Sequence, residues 1–220
     1  MDTTGLTHVR TEMERAADRA GVPIGEITLV AISKGRPDED VAEIARAGQL
    51  IFGENRQQGL ADRIAAEPPE RIQWHFVGPL QSRKVRFVER SVSLLHSMDR
   101  MSLARKWVAA GDTPVLLQFN LAGEPQKSGF DPSDADEIID AVLSVGLDVR
   151  GVMAIPPLSV DAETTRPYFA RLRNLFDHYK DNHANMEHCS MGMSNDFVVA
   201  IEEGSTMVRV GRAIFEPTGR

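Results

Sequence analysis

Apolar residues in this chain fall into short continuous runs, separated by longer stretches in which they recur every three or four positions. The runs lie at 28–33, 50–52, 72–77, 93–96, 114–121, 149–155, 186–190 and 206–210. The periodic stretches lie at 39–47, 57–67, 82–89, 100–109, 132–145, 162–181 and 196–202, and one more, at 7–20, precedes the first run. A run that is apolar throughout reads as a strand covered on both faces, and the longer period as a helix with one buried stripe. Strict alternation of the two predicts a parallel sheet with helices outside it. Eight such units close into a (β/α)₈ TIM barrel, so the expectation is an α/β protein with one barrel domain over 1–220 and an extra N-terminal helix. The rival is a doubly wound open sheet. It calls for a glycine-rich turn after the first strand, and Lys34-Gly35-Arg36-Pro37 contains no GxGxxG.

Composition narrows the partners. Hydrophobic residues at 42% and charged residues at 26% are ordinary for a globular domain. A net charge of −7 argues against a nucleic-acid binder, whose backbone contacts need a basic face. A small anionic ligand stays compatible, because a few local cations and backbone amides suffice. The single cysteine, Cys189, excludes an intramolecular disulfide, fits a reducing compartment, and reads as a small buried hydrophobe. The first twenty residues carry four carboxylates and no apolar core of a signal peptide, and no run approaches the ~18 residues that span a bilayer. The expectation is a cytoplasmic monomer with no membrane partner.

Candidate chemistry sits where strands end, since barrels of this class carry reactive groups there. Lys34 ends the first strand. It is either a solvated surface lysine or an amine at the barrel mouth, nucleophilic toward an aldehyde. Arg209 lies inside the apolar run of the eighth strand, where an unpaired guanidinium is expensive. It is either ion-paired to a carboxylate such as Glu54 or a permanent donor to a heteroaromatic nitrogen; a ring nitrogen facing it stays unprotonated and is a poor electron sink. Ser190-Met191-Gly192-Met193-Ser194 and Gly211-Arg212 follow strands seven and eight, where barrels often hold phosphate. The alternative is an ordinary turn capped by Ser194 or Asn195. His75 reads as a core histidine or as a ligand or base. No HxxxH, CxxC or HxH spacing suggests a metal, and no GxSxG suggests a serine nucleophile.

Together these residues carry a resemblance. Ala31-Ile32-Ser33-Lys34, Phe52-Gly53-Glu54-Asn55, Trp74-His75-Phe76-Val77-Gly78-Pro79-Leu80-Gln81-Ser82-Arg83-Lys84 and Gly123-Glu124-Pro125-Gln126-Lys127-Ser128-Gly129 resemble segments of the pyridoxal 5′-phosphate (PLP) homeostasis family. Met153-Ala154-Ile155-Pro156, the 190–194 loop and Met207-Val208-Arg209-Val210-Gly211 extend the match in order from about 27 to 215. The family is similar to the N-terminal barrel of alanine racemase and of ornithine decarboxylases. The resemblance implies a fold-type III barrel with PLP held as an imine on Lys34. It further implies Asn55, His75 and Met153 around the cofactor, Arg209 at the pyridine nitrogen, and Ser190, Gly192, Gly211 and Arg212 at the phosphate. The implied function is vitamin B6 homeostasis, binding PLP and delivering it to apo PLP-enzymes, without robust catalysis.

The residues supply a reason for weak catalysis. Racemisation needs a second base opposite the substrate α-carbon. The chain ends at Arg220, with no C-terminal domain expected to provide one, and Tyr168 and Tyr179 share one helical stretch away from the strand ends. An alternative is a small PLP-dependent racemase using His75 or Lys127, and a third is a regulatory module with PLP as a sensing ligand. Three positions depart from the family pattern: Arg56 for a usual tyrosine, Pro79 for a usual histidine and Arg212 for a usual threonine, where the arginine either adds a charge-assisted contact to the phosphate or points outward and leaves one hydrogen bond missing.

Overall fold

The computed structural model describes residues 3–68, 71–124, 126–157 and 159–216. Strands β1 (Thr28–Ile32), β2 (Ile51–Glu54), β3 (Gln73–Phe76), β4 (Leu94–Met98), β5 (Val115–Phe119), β6 (Val149–Ala154), β7 (His188–Ser190) and β8 (Met207–Val210) close into a barrel in chain order. Neighbouring strands are parallel throughout, and β8 closes on β1 in a register running from Thr28↔Met207 to Ala31↔Val210. The expected TIM barrel is the fold.

Parallel neighbours require long crossovers, and helices provide them. They are α2 (Asp38–Arg46), α3 (Gln57–Ala65), α4 (Val85–Glu89), α5 (Met101–Val108), α6 (Ala135–Ser144), α7 (Arg166–Lys180) and α8 (Phe197–Glu202), with α1 (Thr4–Ala20) before the barrel and α9 (Arg212–Phe215) after it. Each buries a stripe at the helical period, as Phe169, Leu172, Phe176 and Tyr179 do on α7. On α1 the stripe is Leu6, Val9, Met13, Ala16 and Ala17, and it packs on α8 and α9.

Side chains alternate across each strand. On β1, Leu29 and Ala31 join the large core under the helices, while Val30 joins a separate inner cluster with Leu94, Leu116, Met153 and Met207. That cluster fills only part of the lumen. His75, His96, Ser190 and Arg209 are buried as well.

Three helices begin later than their periodicity predicts. The stretches from 82, 132 and 162 open with 3₁₀ turns, Ser82–Lys84, Pro132–Asp134 and Ala162–Thr165, before α4, α6 and α7. In two of them an aspartate accepts a backbone N–H and fixes the tighter turn: Asp131 from Ser133, and Asp161 from Glu163. The last helix, α9, lies beyond the predicted elements. No helix among the described residues is long and apolar enough to cross a membrane.

Candidate active site at the C-terminal mouth

The C-terminal ends of the strands share one mouth, with a cavity of about 300 Å³ lined by Lys34, Ser194, Asp196, Arg209, Gly211 and Arg212 among others. Lys34 occupies the second position of a tight turn closed by Arg36 N–H donating to Ser33 C=O at 3.0 Å. Gly35 follows at φ +69°, the left-handed conformation that a type II turn requires at its third position. The turn lifts Lys34 out of the barrel wall, and its side chain is exposed at the cavity with no hydrogen-bond partner among the described residues.

The backbone around Lys34 is braced by a residue the sequence reading did not single out. Arg63, on α3, donates Nη2 to Ser33 C=O at 2.8 Å and to Arg36 C=O at 2.5 Å, bracketing Lys34. Its Nη1 pairs with Asp38, and its Nε lies 3.4 Å from Glu54 Oε1. Glu54 in turn accepts from Ser33 Oγ at 2.7 Å. The available signal was an arginine three positions after Leu60, on the buried face of α3.

This network rules out the ion pair of Arg209 with Glu54, because Glu54 belongs to Arg63. Arg209 is 4% exposed and donates Nη1 to Ser190 Oγ at 2.6 Å and Nη2 to Ala154 C=O at 3.0 Å. No carboxylate pairs with it among the described residues. Burial lowers its pKa to about 10, opposed by the more distant charge of Asp196, so it stays cationic at neutral pH. Both of its hydrogen-bond acceptors are neutral, and it lines the cavity together with Asp196.

The loops after β7 and β8 meet beside it. Ser194 Oγ accepts from the Gly211 N–H at 3.2 Å, and Asp196 Oδ1 accepts from Met193 N–H at 2.6 Å. Burial raises the Asp196 carboxyl above its ordinary value, against the opposing hydrogen bond from Met193 and the charge of Arg209. Ser194 thus joins the two loops rather than capping α8, and it also accepts from the Ala213 N–H at 3.5 Å in the first turn of α9. Gly192 carries the ladder into the loop, its C=O accepting from Arg209 N–H at 3.0 Å. The Arg212 side chain is exposed and donates to Asn195 Oδ1 at 3.1 Å.

The remaining expected residues lie elsewhere. Met153 is fully buried in the inner cluster. Asn55 follows β2, where its backbone lies so close to Gly78 that a Cβ there would meet Asn55 O at 2.1 Å. His75, expected at the cofactor, stands instead at the opposite mouth, in a cavity of about 340 Å³ lined by strand-opening residues such as Thr28, Ile51 and Gln73. Strand direction explains the displacement: β3 ends at Phe76, but His75 points inward below that level. The other two departures from the family pattern, Arg56 and Pro79, are exposed. Cys189 is buried, and desolvation pushes its thiol up to about 12, as suits a core residue. The described residues hold no group of three or more His, Cys, Asp or Glu that could bind a metal ion.

The family described as "Alanine racemase, N-terminal domain" matches residues 31–218. A "Pyridoxal phosphate homeostasis protein" from Aquifex aeolicus is 37% identical over 96% of this chain and 95% of its own length. The chain belongs to the pyridoxal phosphate homeostasis protein family. Among solved structures, an unknown protein from Bifidobacterium adolescentis superposes with a TM-score of 0.89 at 34% identity, covering 97% of this chain and 94% of that one. PipY of Synechococcus elongatus, solved with PLP bound, superposes with a TM-score of 0.77 at 32% identity, covering 93% and 99%.

Proposed function

We propose that this protein binds PLP through Lys34 and holds it for delivery to apo PLP-enzymes in the cytoplasm, acting as a monomeric carrier rather than a catalyst. The observation that carries the reading is the pairing, in one cavity, of a lysine amine and a buried arginine, neither with a paired carboxylate among the described residues. An aldehyde suits the first and an electron-rich ring nitrogen suits the second, so the residues present fit the cofactor. The PLP-bound PipY structure and the names of the relatives support the same assignment.

Lys34 would hold the cofactor covalently, Arg209 would face its ring nitrogen, and the loops bearing Ser194, Gly211 and Arg212 would hold its phosphate. Gly192 and Ser190 would act from behind this layer, through the backbone and side chain of Arg209. Asn55 would lie at the rim. When bound, the cofactor supplies an electrophilic aldehyde and, where its ring is protonated, an electron sink. Arg209 can only donate, so it would keep the ring nitrogen an acceptor and would weaken that sink.

A racemase needs a base at this mouth. Tyr179 is hydrogen-bonded to Asp136, His75 lies at the other end, and Lys127 is ion-paired to Glu124 at 2.6 Å. The carrier reading therefore takes precedence. Purified protein is expected to take up PLP, with visible absorbance and a borohydride-stable adduct on Lys34. A colourless protein that takes up no added PLP overturns the proposal. Solvent deuterium entering Cα of an amino acid faster than with free PLP would favour the enzyme reading.

A further inference from the structure

The barrel lumen holds a polar chain of which the carrier reading uses Arg209 and Ser190 but not the two histidines beyond them. Arg209 Nη1 donates to Ser190 Oγ at 2.6 Å, Ser190 Oγ lies 3.1 Å from His96 Nδ1, and His96 Nε2 lies 2.9 Å from His75 Nδ1. All four side chains are buried, yet the chain links the two ends of the barrel: Arg209 lines the C-terminal cavity and His75 the N-terminal one. Polar lumen residues displace apolar packing, so the arrangement needs a reason beyond stability.

Counting protons gives the chain a direction. Ser190 has one hydroxyl proton, and Arg209 occupies it as an acceptor. If His96 Nδ1 also donated to Ser190, that hydroxyl proton would have no acceptor among the described residues. Ser190 must therefore donate to His96 Nδ1. His96 then carries its proton on Nε2 and donates to His75 Nδ1, and His75 carries its proton on Nε2, toward the N-terminal mouth. Desolvation lowers the pKa of His75 to about 3 and that of His96 well below its ordinary range, so both rings are neutral as the chain requires.

We propose that Ser190, His96 and His75 are positioning residues for Arg209, a one-way hydrogen-bond chain that aims its guanidinium at the cofactor cavity and makes that aim sensitive to a side chain at the opposite mouth. The proposal rests on the carrier reading for its consequence but not for its geometry. Ala154 C=O fixes one guanidinium nitrogen, and Ser190 fixes the other only while its hydroxyl proton has somewhere to go. Removing the acceptor at His96 frees the hydroxyl to turn, and Arg209 loses one of its two anchors.

Two measurements test this on the full chain. Nitrogen-15 NMR of the PLP-free protein reads the tautomers, and both His75 and His96 are expected as the Nε2–H form; an Nδ1–H form at either overturns the direction of the chain. In PLP-loaded protein, His96→Leu is expected to shift the visible absorbance maximum and to speed release of PLP to an apo-enzyme by about tenfold, the size of one charge-assisted hydrogen bond. His96→Asn, which restores an acceptor near the Nδ1 position, is expected to return both toward wild type. His75→Leu should move them in the same direction by less, and His188→Gln, at the same mouth but outside the chain, should leave them unchanged. If His96→Leu fails to fold, Ser190→Ala breaks the same link one step nearer Arg209 and carries the same expectation. A folded, loaded variant with wild-type spectrum and release rate overturns the proposal. A wild-type protein that never loads PLP overturns the carrier reading instead, and the NMR result still decides the chain.

Discussion

At the N-terminal mouth, Arg150 donates to Asp148 at 2.8 Å and reaches Glu187 at 3.3 Å, and the hydrogen bond to Asp148 raises its pKa. At the C-terminal mouth, Lys34 and Arg209 have no carboxylate partner among the described residues, although Glu54 lies within the same set of strand ends. Arg63 makes the difference, because it takes up Glu54 and Asp38 and leaves Lys34 and Arg209 without a paired carboxylate, Asp196 acting on Arg209 through its charge alone. The arginine at one end of the barrel is held in ion pairs, and the two cations at the other are not.

The comparison can be broken in several places, taken here from the largest expected effect to the smallest. Lys34→Ala should abolish the borohydride-stable PLP adduct entirely, read by intact mass, while leaving thermal unfolding close to wild type because the side chain is exposed. Arg63→Met should cost about 3–5 kcal/mol of stability by chemical denaturation, the typical cost of stranding a buried charge, here Glu54. It should also loosen the Lys34 turn and speed PLP loss. Arg209→Met should weaken PLP binding roughly tenfold to a hundredfold in equilibrium titration, the loss of one hydrogen bond from a charged donor. Retention of wild-type affinity in that variant would mean the buried charge does not face the ligand.

Acid should act through the lumen. His75 titrates near 3 in the folded protein against about 6.5 in an unfolded chain, so between those values the unfolded state binds more protons. Stability from this group is complete above about pH 6.5 and falls by about 1.4 kcal/mol per pH unit as the pH drops from there toward 3. Denaturant titrations at several pH values check this, and the slope should shrink in His75→Leu. The smallest effect belongs to the compensated mouth. Arg150→Ala should change stability by less than about 1 kcal/mol and leave PLP uptake unaltered, because its ion pairs are partly exposed and screened.

The site was legible in the sequence to the extent that its chemistry is local. Lys34 stands at the end of an apolar run before a glycine, and Arg209 is conspicuous inside another run. Gly211, Arg212 and the 190–194 loop follow strands at the end of the barrel that such folds use. His75 shows the limit. A histidine in a strand is visible, but which mouth it faces depends on its level along the barrel axis, and inward levels on one strand are two residues apart. Arg63 lies on a helix, and its role appears only when α3 packs beside the β1–α2 loop. His96 is visible as a polar residue ending the fourth apolar run, but only closure of the barrel brings it between His75 and Ser190, residues 21 and 94 positions away.

The alternation of apolar runs and helical stripes, read along the chain alone, determined the barrel, its strand order and the lysine at its rim. Those follow from the two periods and the need of parallel strands for long crossovers. Tertiary structure alone decided which cations keep a counter-charge and which are left open. Charge compensation depends on distances of a few ångströms between residues far apart in sequence, and those distances exist only once the barrel has closed.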